Sequence, residues 1–172
     1  MGSQALSNST ALSELSNFSL TDIISKNVLT VYEGWSVKRL ASFFVKHRIS
    51  GAPVIAADDE LVGVVTQSDV IRFESRTPTE VEMQRLAKFY CGPYGGELSD
   101  AEVSRLQDKA NEYCTVNSIM THEVLSLDSS SSVSDTCSMI TKHDIHRIFI
   151  TENNCLVGVV TAMDILKKLS SQ

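Results

Sequence analysis

Two short stretches place a hydroxyl and a carboxylate at the same spacing: Thr66-Gln67-Ser68-Asp69 and Thr161-Ala162-Met163-Asp164. Leu61-Val62-Gly63-Val64-Val65 precedes the first, and Leu156-Val157-Gly158-Val159-Val160 precedes the second. An apolar pair follows each, Val70-Ile71 or Ile165-Leu166. The β-branched run reads as a buried strand. Thr and Asp suit the strand end and the helix start, because their oxygens accept from N–H groups that the first helical turn leaves unpaired. A helix N-terminus also attracts negative charge. Hydroxyl, helix start and carboxylate therefore make a polar pocket suited to a phosphorylated ligand. The plainer alternative is that Thr66 and Thr161 only cap their helices. Two copies in one short chain favour the pocket.

Other chemistry is sparse. His143 and His146 have an i, i+3 spacing that would suit metal on a helix, but no Cys or third His completes a zinc site, so no metal is expected. Cys91, Cys114, Cys137 and Cys155 are far apart and form no C-x-x-C pair, which points to reduced thiols in a cytoplasmic protein. There is no nucleophile–base pairing, Walker-type glycine loop or H-E-x-x-H motif, so the chain reads as a non-enzyme. A net charge of −6 without a run of Lys or Arg disfavours nucleic acid. No apolar segment is long enough to cross a bilayer, and no basic-then-apolar leader opens the chain.

The elements that must position the two turns follow from the pattern around them. Ser19-Leu20-Thr21-Asp22 resembles a capping box opening a short helix through Ile24. Val28–Val31 reads as a strand. Ser36 caps a helix whose apolar face is Val37, Leu40, Ala41, Phe44 and Val45, and which Gly51-Ala52 breaks. Pro53-Val54-Ile55 and Leu61–Val65 form a hairpin around Asp58-Asp59-Glu60, and a second helix begins near Val70. The order repeats from Val124. Val124–Leu127 answers Val28–Val31, and Lys142–Ile145 answers Lys46–Ile49, both displaced by 96 positions. Val133, Cys137, Met139 and Ile140 give the helical face, and Ile148–Ile150 the next strand. Gly158 follows Gly63 by 95, one residue having been lost at the hairpin turn Glu152-Asn153-Asn154.

The domain reading is a mobile arm at 1–17, a first repeat at 18–75, an insertion at 76–114 and a second repeat at 115–172. Thr77-Pro78-Thr79-Glu80 and Ser99-Asp100-Ala101-Glu102 have capping-box patterns, each before an apolar helical face, so the insertion reads as a helical hairpin.

Ile49-Ser50-Gly51-Ala52-Pro53-Val54, the two Gly-Val-Val-Thr-x-x-Asp segments and the repeated element order resemble a tandem pair of CBS (cystathionine β-synthase) domains, a Bateman module. The resemblance covers about residues 20–72 and 115–169. It implies an α+β fold of two intertwined β-α-β-β-α repeats about a pseudo-twofold axis, with the helical hairpin inserted between them. It also implies clefts between the repeats that take AMP, ADP, ATP or S-adenosylmethionine. Asp69 and Asp164 match the family carboxylate for ribose hydroxyls, a role suited to an acceptor of two hydrogen bonds. Thr66 and Thr161 match the hydroxyl near the phosphate. Leu29, Ile49, Gly51, Ala52 and Pro53 match the adenine wall and backbone of the first repeat, as do Leu125, Ile145 and Ile148 in the second. The alternative for the apolar members is ordinary core.

His146-Arg147 replaces Ser50-Gly51 of the first repeat, and Phe149 replaces Pro53. A similar His-Arg pair faces the phosphates in adenylate-sensing members of this family. The alternative is a surface Arg paired with an acidic side chain. The function implied is a regulatory adenine-nucleotide sensor acting on a protein partner not identifiable from sequence, with no cofactor required. The other reading is a structural, dimerising module with empty clefts. A homodimer is expected from the resemblance and from the face Val37, Leu40, Phe44, which looks larger than one repeat need bury.

Overall fold

In the computed structural model, residues 19–76 and 114–170 are described, with Thr79, Val81, Gln84, Ser99, Ala101, Glu102, Arg105 and Glu112. The expected arm at 1–17 and most of the expected hairpin at 76–114 lie outside the described residues. Within the insertion, the Ser99 N–H and hydroxyl both donate to Glu102 Oε2, at 2.9 and 2.6 Å, as its capping pattern requires.

The first half runs β1 (Val31–Tyr32), α1 (Val37–His47), β2 (Gly51–Ile55), β3 (Leu61–Thr66) and α2 (Gln67–Ser75). The second runs β4 (Ser126–Asp128), α3 (Val133–Lys142), β5 (Arg147–Glu152), β6 (Cys155–Thr161) and α4 (Ala162–Ser170). Short 3-10 turns at Leu20–Asp22 and Val116–Ser118 precede them. This is the expected α+β architecture: two three-stranded mixed sheets, β1-β2-β3 and β4-β5-β6, with four α-helices among the described residues. β1 lies parallel to β2 and β4 parallel to β5, each pair joined through a helix.

The chain divides into two compact units. One joins the chain up to Leu29 with Ala57–Leu61 and everything from Val124. The other joins Thr30–Ala56 with Val62–Glu123. Each unit thus takes the leading segment of the other repeat. In the first, Leu20 and Ile23 pack with Val133, Ile148, Ile150, Val160 and Ile165. In the second, Val116 and Met120 pack with Val31, Leu40, Phe44, Val54 and Val65. Backbone hydrogen bonds fix the exchange: Ser25 and Val159 bond reciprocally at 2.9 and 3.1 Å, and Val64 and Thr121 both ways at 2.9 Å. This intertwining explains the glycines at equivalent positions of the two repeats, Gly63 and Gly158. A Cβ on Gly158 would lie 2.5 Å from Ile24 Cγ1 and 2.9 Å from the Ser25 carbonyl oxygen. One on Gly63 would lie 2.6 Å from Met120 Sδ. Only a residue without a side chain lets the borrowed segment approach so closely.

Helix ends are set by local chemistry. Ser36 Oγ accepts from Arg39 N at 3.2 Å, and Ser132 Oγ accepts from Asp135 N at 3.0 Å. The Ser132 N–H and hydroxyl return to Asp135, and these bonds hold its carboxyl below the usual range. α1 ends earlier than expected. Arg48 adopts the left-handed conformation (φ 53°) and donates to the Phe44 and Val45 carbonyls, so the helix closes before Gly51. Asp144 repeats that conformation in the second half (φ 51°).

Two other expectations change. The leading strands begin later, at Val31 and Ser126 instead of Val28 and Val124. Of the α1 face, Val37, Leu40 and Phe44 are buried inside their own unit while Val45 is 77% exposed. That face is filled by the chain's own core and gives no argument for a dimer. Burial of a side chain such as Phe44 is worth about 1.5–3 kcal/mol to the fold itself. The β1–β2 ladder starts at Val31↔Val54, just after Pro53, which has no N–H to contribute. Phe149 at the same place in the second repeat pairs with Ser126, so β4 gains a rung that β1 lacks. The hairpin turn of the second half has Asn153 and Asn154 at φ 51° and 66°, the positive values a tight two-residue turn demands.

Candidate ligand-binding site

Each strand–helix junction brings Thr and Asp together in the same way. The Thr66 N–H and hydroxyl donate to Asp69 Oδ2 at 2.8 and 2.7 Å. The Thr161 N–H and hydroxyl donate to Asp164 Oδ2 at 3.0 and 2.6 Å, and Asp164 N donates back to Thr161 Oγ1 at 3.2 Å. The spacing that marked the motif therefore produces a capping box first. The box also fixes each carboxylate in one orientation, with Oδ2 engaged and Oδ1 aimed elsewhere. The first helical N–H of each turn is taken by the segment leading into the neighbouring strand: Gln67 N donates to the Ser50 carbonyl at 2.9 Å, and Ala162 N to the His146 carbonyl at 3.2 Å. Residues 49–51 and 145–147 are thereby held against the junctions.

In the second repeat that segment carries a charge. Arg147 opens β5 directly opposite Thr161. Side chains so paired start about 4.5–5.5 Å apart at Cβ. Arg147 and His146 are exposed, and Arg147 has no ion pair among the described residues. Gly51 stands in its place in the first repeat, where a Cβ would lie 3.2 Å from Thr66 Cγ2 and from the Val65 carbonyl oxygen.

The other expected residues fall into two groups. Ala52, Pro53 and Ile148 are buried in β2 and β5, so their side chains pack the core. Ile49 and Ile145 are half-buried and rest against the core of their own unit. Leu29 and Leu125, equivalent in the repeat, are 43% and 37% exposed, and two large apolar side chains are left accessible at one repeat position. His143 caps the end of α3 and His146 lies beyond it, so their spacing is not that of a helical face.

Sequence reasoning missed one participant. Arg72 Nη1 lies 3.1 Å from Asp69 Oδ1, and Asp69 is 8% exposed. The i, i+3 Asp–Arg spacing on a helix was the available signal. Asp164 is more accessible, and its Oδ1 accepts no hydrogen bond among the described residues.

The family model described as CBS domain matches residues 20–76 and 116–171. The chain belongs to the CBS domain family. The two matches make it a tandem pair, a Bateman module, and leave the insertion between them unmatched. Among relatives, the uncharacterized protein MJ1426 of Methanocaldococcus jannaschii is 26% identical over 156 residues, covering 85% of this chain and 88% of the relative. The chain spans only 43% and 44% of two other relatives from that organism.

Among solved structures, the CBS domain of a CBS domain containing membrane protein from Sphaerobacter thermophilus matches with TM-score 0.63 and 25% identity over 97% of both chains. CBSX2 in complex with AMP matches with TM-score 0.61 and 20% identity, over 90% of this chain and 97% of that one. The CBS domain pair of MJ0100 with 5′-methylthioadenosine and S-adenosyl-L-methionine matches with TM-score 0.55 and 21% identity, over 88% and 99%. Among the described residues no helix is long and apolar enough to cross a membrane.

Proposed function

We propose that this CBS pair is a regulatory module that binds an adenosine-containing nucleotide at its Thr-x-x-Asp turns and passes the occupancy to a cytoplasmic protein partner. The observation that carries the reading is at the second turn. There an oriented carboxylate whose Oδ1 accepts no hydrogen bond among the described residues, a helix start and a guanidinium with no ion pair among them lie on adjoining residues. Asp164 offers acceptors to a ribose diol, Thr161 marks the phosphate end, and Arg147 supplies a planar cation matched to phosphate oxygens. Asp69 and Thr66 offer the same ribose chemistry in the first repeat. Leu29, Ile49, Gly51, Ala52 and Pro53, with Leu125, Ile145 and Ile148, supply wall and backbone for the base, and His146 adds a second polar group beside Arg147. CBSX2 with AMP and MJ0100 with S-adenosyl-L-methionine support adenosine compounds as the class.

Arg147 favours AMP, ADP or ATP over S-adenosylmethionine, whose sulfonium it would repel. A thermal-shift screen of these four ligands and NAD tests the class, since a ligand of the native state alone raises stability by mass action. The reading predicts shifts with phosphorylated adenosines and a smaller one with S-adenosylmethionine.

A second reading, an assembly module without nucleotide, gains support from the first turn, where both Asp69 oxygens already have protein partners. Under either reading we assign a homodimer. Val45 and Ile71 on one unit and Met163 and Leu166 on the other remain exposed apolar side chains. Sedimentation equilibrium should show association at micromolar concentration, and a monomer throughout would remove the assignment.

A further inference from the structure

The two turns share a frame but not an outer shell. In the first, Arg72 covers Asp69 Oδ1 at 3.1 Å, and Gln67 Nε2 ties the turn to the Ile49 carbonyl at 3.1 Å. In the second, Ala162 replaces Gln67 and cannot make that tie. Lys167, a point charge without the planar fork of arginine, replaces Arg72. Asp69 is 8% exposed, whereas Asp164 is half-buried and its Oδ1 accepts no hydrogen bond among the described residues.

We propose that Arg72 is a latch on the first ribose site: its guanidinium occupies the oxygen of Asp69 that a ribose diol would use, so the first turn binds nucleosides more weakly than the second and fills after it. This rests on the nucleotide reading above. The diol needs carboxylate oxygens as acceptors, and at Asp69 the Thr66 N–H and hydroxyl already hold Oδ2, leaving Oδ1 as the exchangeable atom. Arg72 itself is 74% exposed, so its ion pair is weak and can be displaced without disturbing the core. A latch of this kind sets the order of filling and gives one module two response ranges for the same ligand.

The probe is adenosine, which is uncharged, so any gain on removing a cation cannot come from phosphate electrostatics. Calorimetry is run in an Asp164→Asn background to isolate the first turn. Arg72→Gln is expected to raise adenosine affinity there by about two- to fivefold, the range an exposed ion pair can supply. Raising salt to about 0.5 M should give part of that gain with Arg72 present and none after Arg72→Gln, because screening weakens the pair. In an Asp69→Asn background, Arg72→Gln should change nothing. A loss of affinity in Arg72→Gln would make Arg72 a ligand contact and overturn the latch, as would no change or an equal gain without Asp69. Adenosine or AMP binding to the native protein together with any of those results removes the latch and leaves the nucleotide reading. Absence of binding in the native protein and in Arg72→Gln alike removes both.

Discussion

The residues that identify the motif have one job that the geometry displays, and ligand binding is the second that we propose for them. Thr66 and Thr161 cap their helices through Asp69 and Asp164. The capping bonds use one carboxylate oxygen, so they orient the group and leave its second oxygen outside the box. Discrimination among ligands then falls to what surrounds the box. The whole chain carries a net charge of −6, which opposes the approach of a nucleotide, so a local cation matters. We propose Arg147 as that cation, opposite Thr161 and without an ion pair among the described residues. An Arg–phosphate contact is worth roughly 1.5–3 kcal/mol. Arg147→Ala should therefore weaken AMP binding about tenfold or more while leaving adenosine nearly unchanged. Calorimetry with both ligands reads the difference, and equal losses would contradict the phosphate assignment. The Thr–Asp spacing was legible in the sequence because cap chemistry is local. The Arg72 contact is equally local but was hidden by reading the helix for its apolar face alone.

At the scale of elements, the repeat tells which strands and helices exist, and the packing tells why particular residues interrupt them. Gly158 sits in a strand, where glycine is ordinarily unfavourable. The borrowed Ile24-Ser25 segment explains it, with Ser25 hydrogen-bonded to Val159 on both sides. Gly158→Ala should lower stability by about 1–3 kcal/mol, since the added carbon meets a backbone oxygen as well as the Ile24 side chain. Gly63→Ala should lose less, because the nearest atom is the flexible Met120 sulfur and the backbone oxygen it meets, that of Thr121, lies farther off at 3.1 Å. Denaturant titration of both variants checks the order, and a larger loss at Gly63 would contradict it. The strand starts were misread by two or three residues. Val28 and Val124 have strand-forming side chains, but their segments are spent on crossing from one unit to the other, and pairing begins only afterwards. Pro53 against Phe149 was legible as an asymmetry. Its consequence, one rung fewer in the first ladder, needed the register.

For the whole molecule, each compact unit is completed by the leading segment of the other repeat, so the repeats are interdependent parts of one fold. The offset of 95–96 residues made the duplication legible. It could not reveal the exchange, because an apolar pattern such as Leu20, Ile23 and Ile24 shows which face is buried and not against which sheet. The same limit misplaced the dimer argument: the Val37, Leu40, Phe44 stripe needed a partner, and the partner was the chain's own sheet and the borrowed Val116 and Met120. What the duplication does supply is a pair of similar turns with different surroundings, a plan suited to graded sensing of one ligand class. The most direct test is calorimetric titration of AMP into the native protein. The account predicts saturable binding, tighter at the turn bearing Asp164 and Arg147 and lost from that turn in Asp164→Asn. No heat and no stabilisation with AMP, ADP, ATP or adenosine at millimolar ligand would contradict it and leave the assembly module as the function.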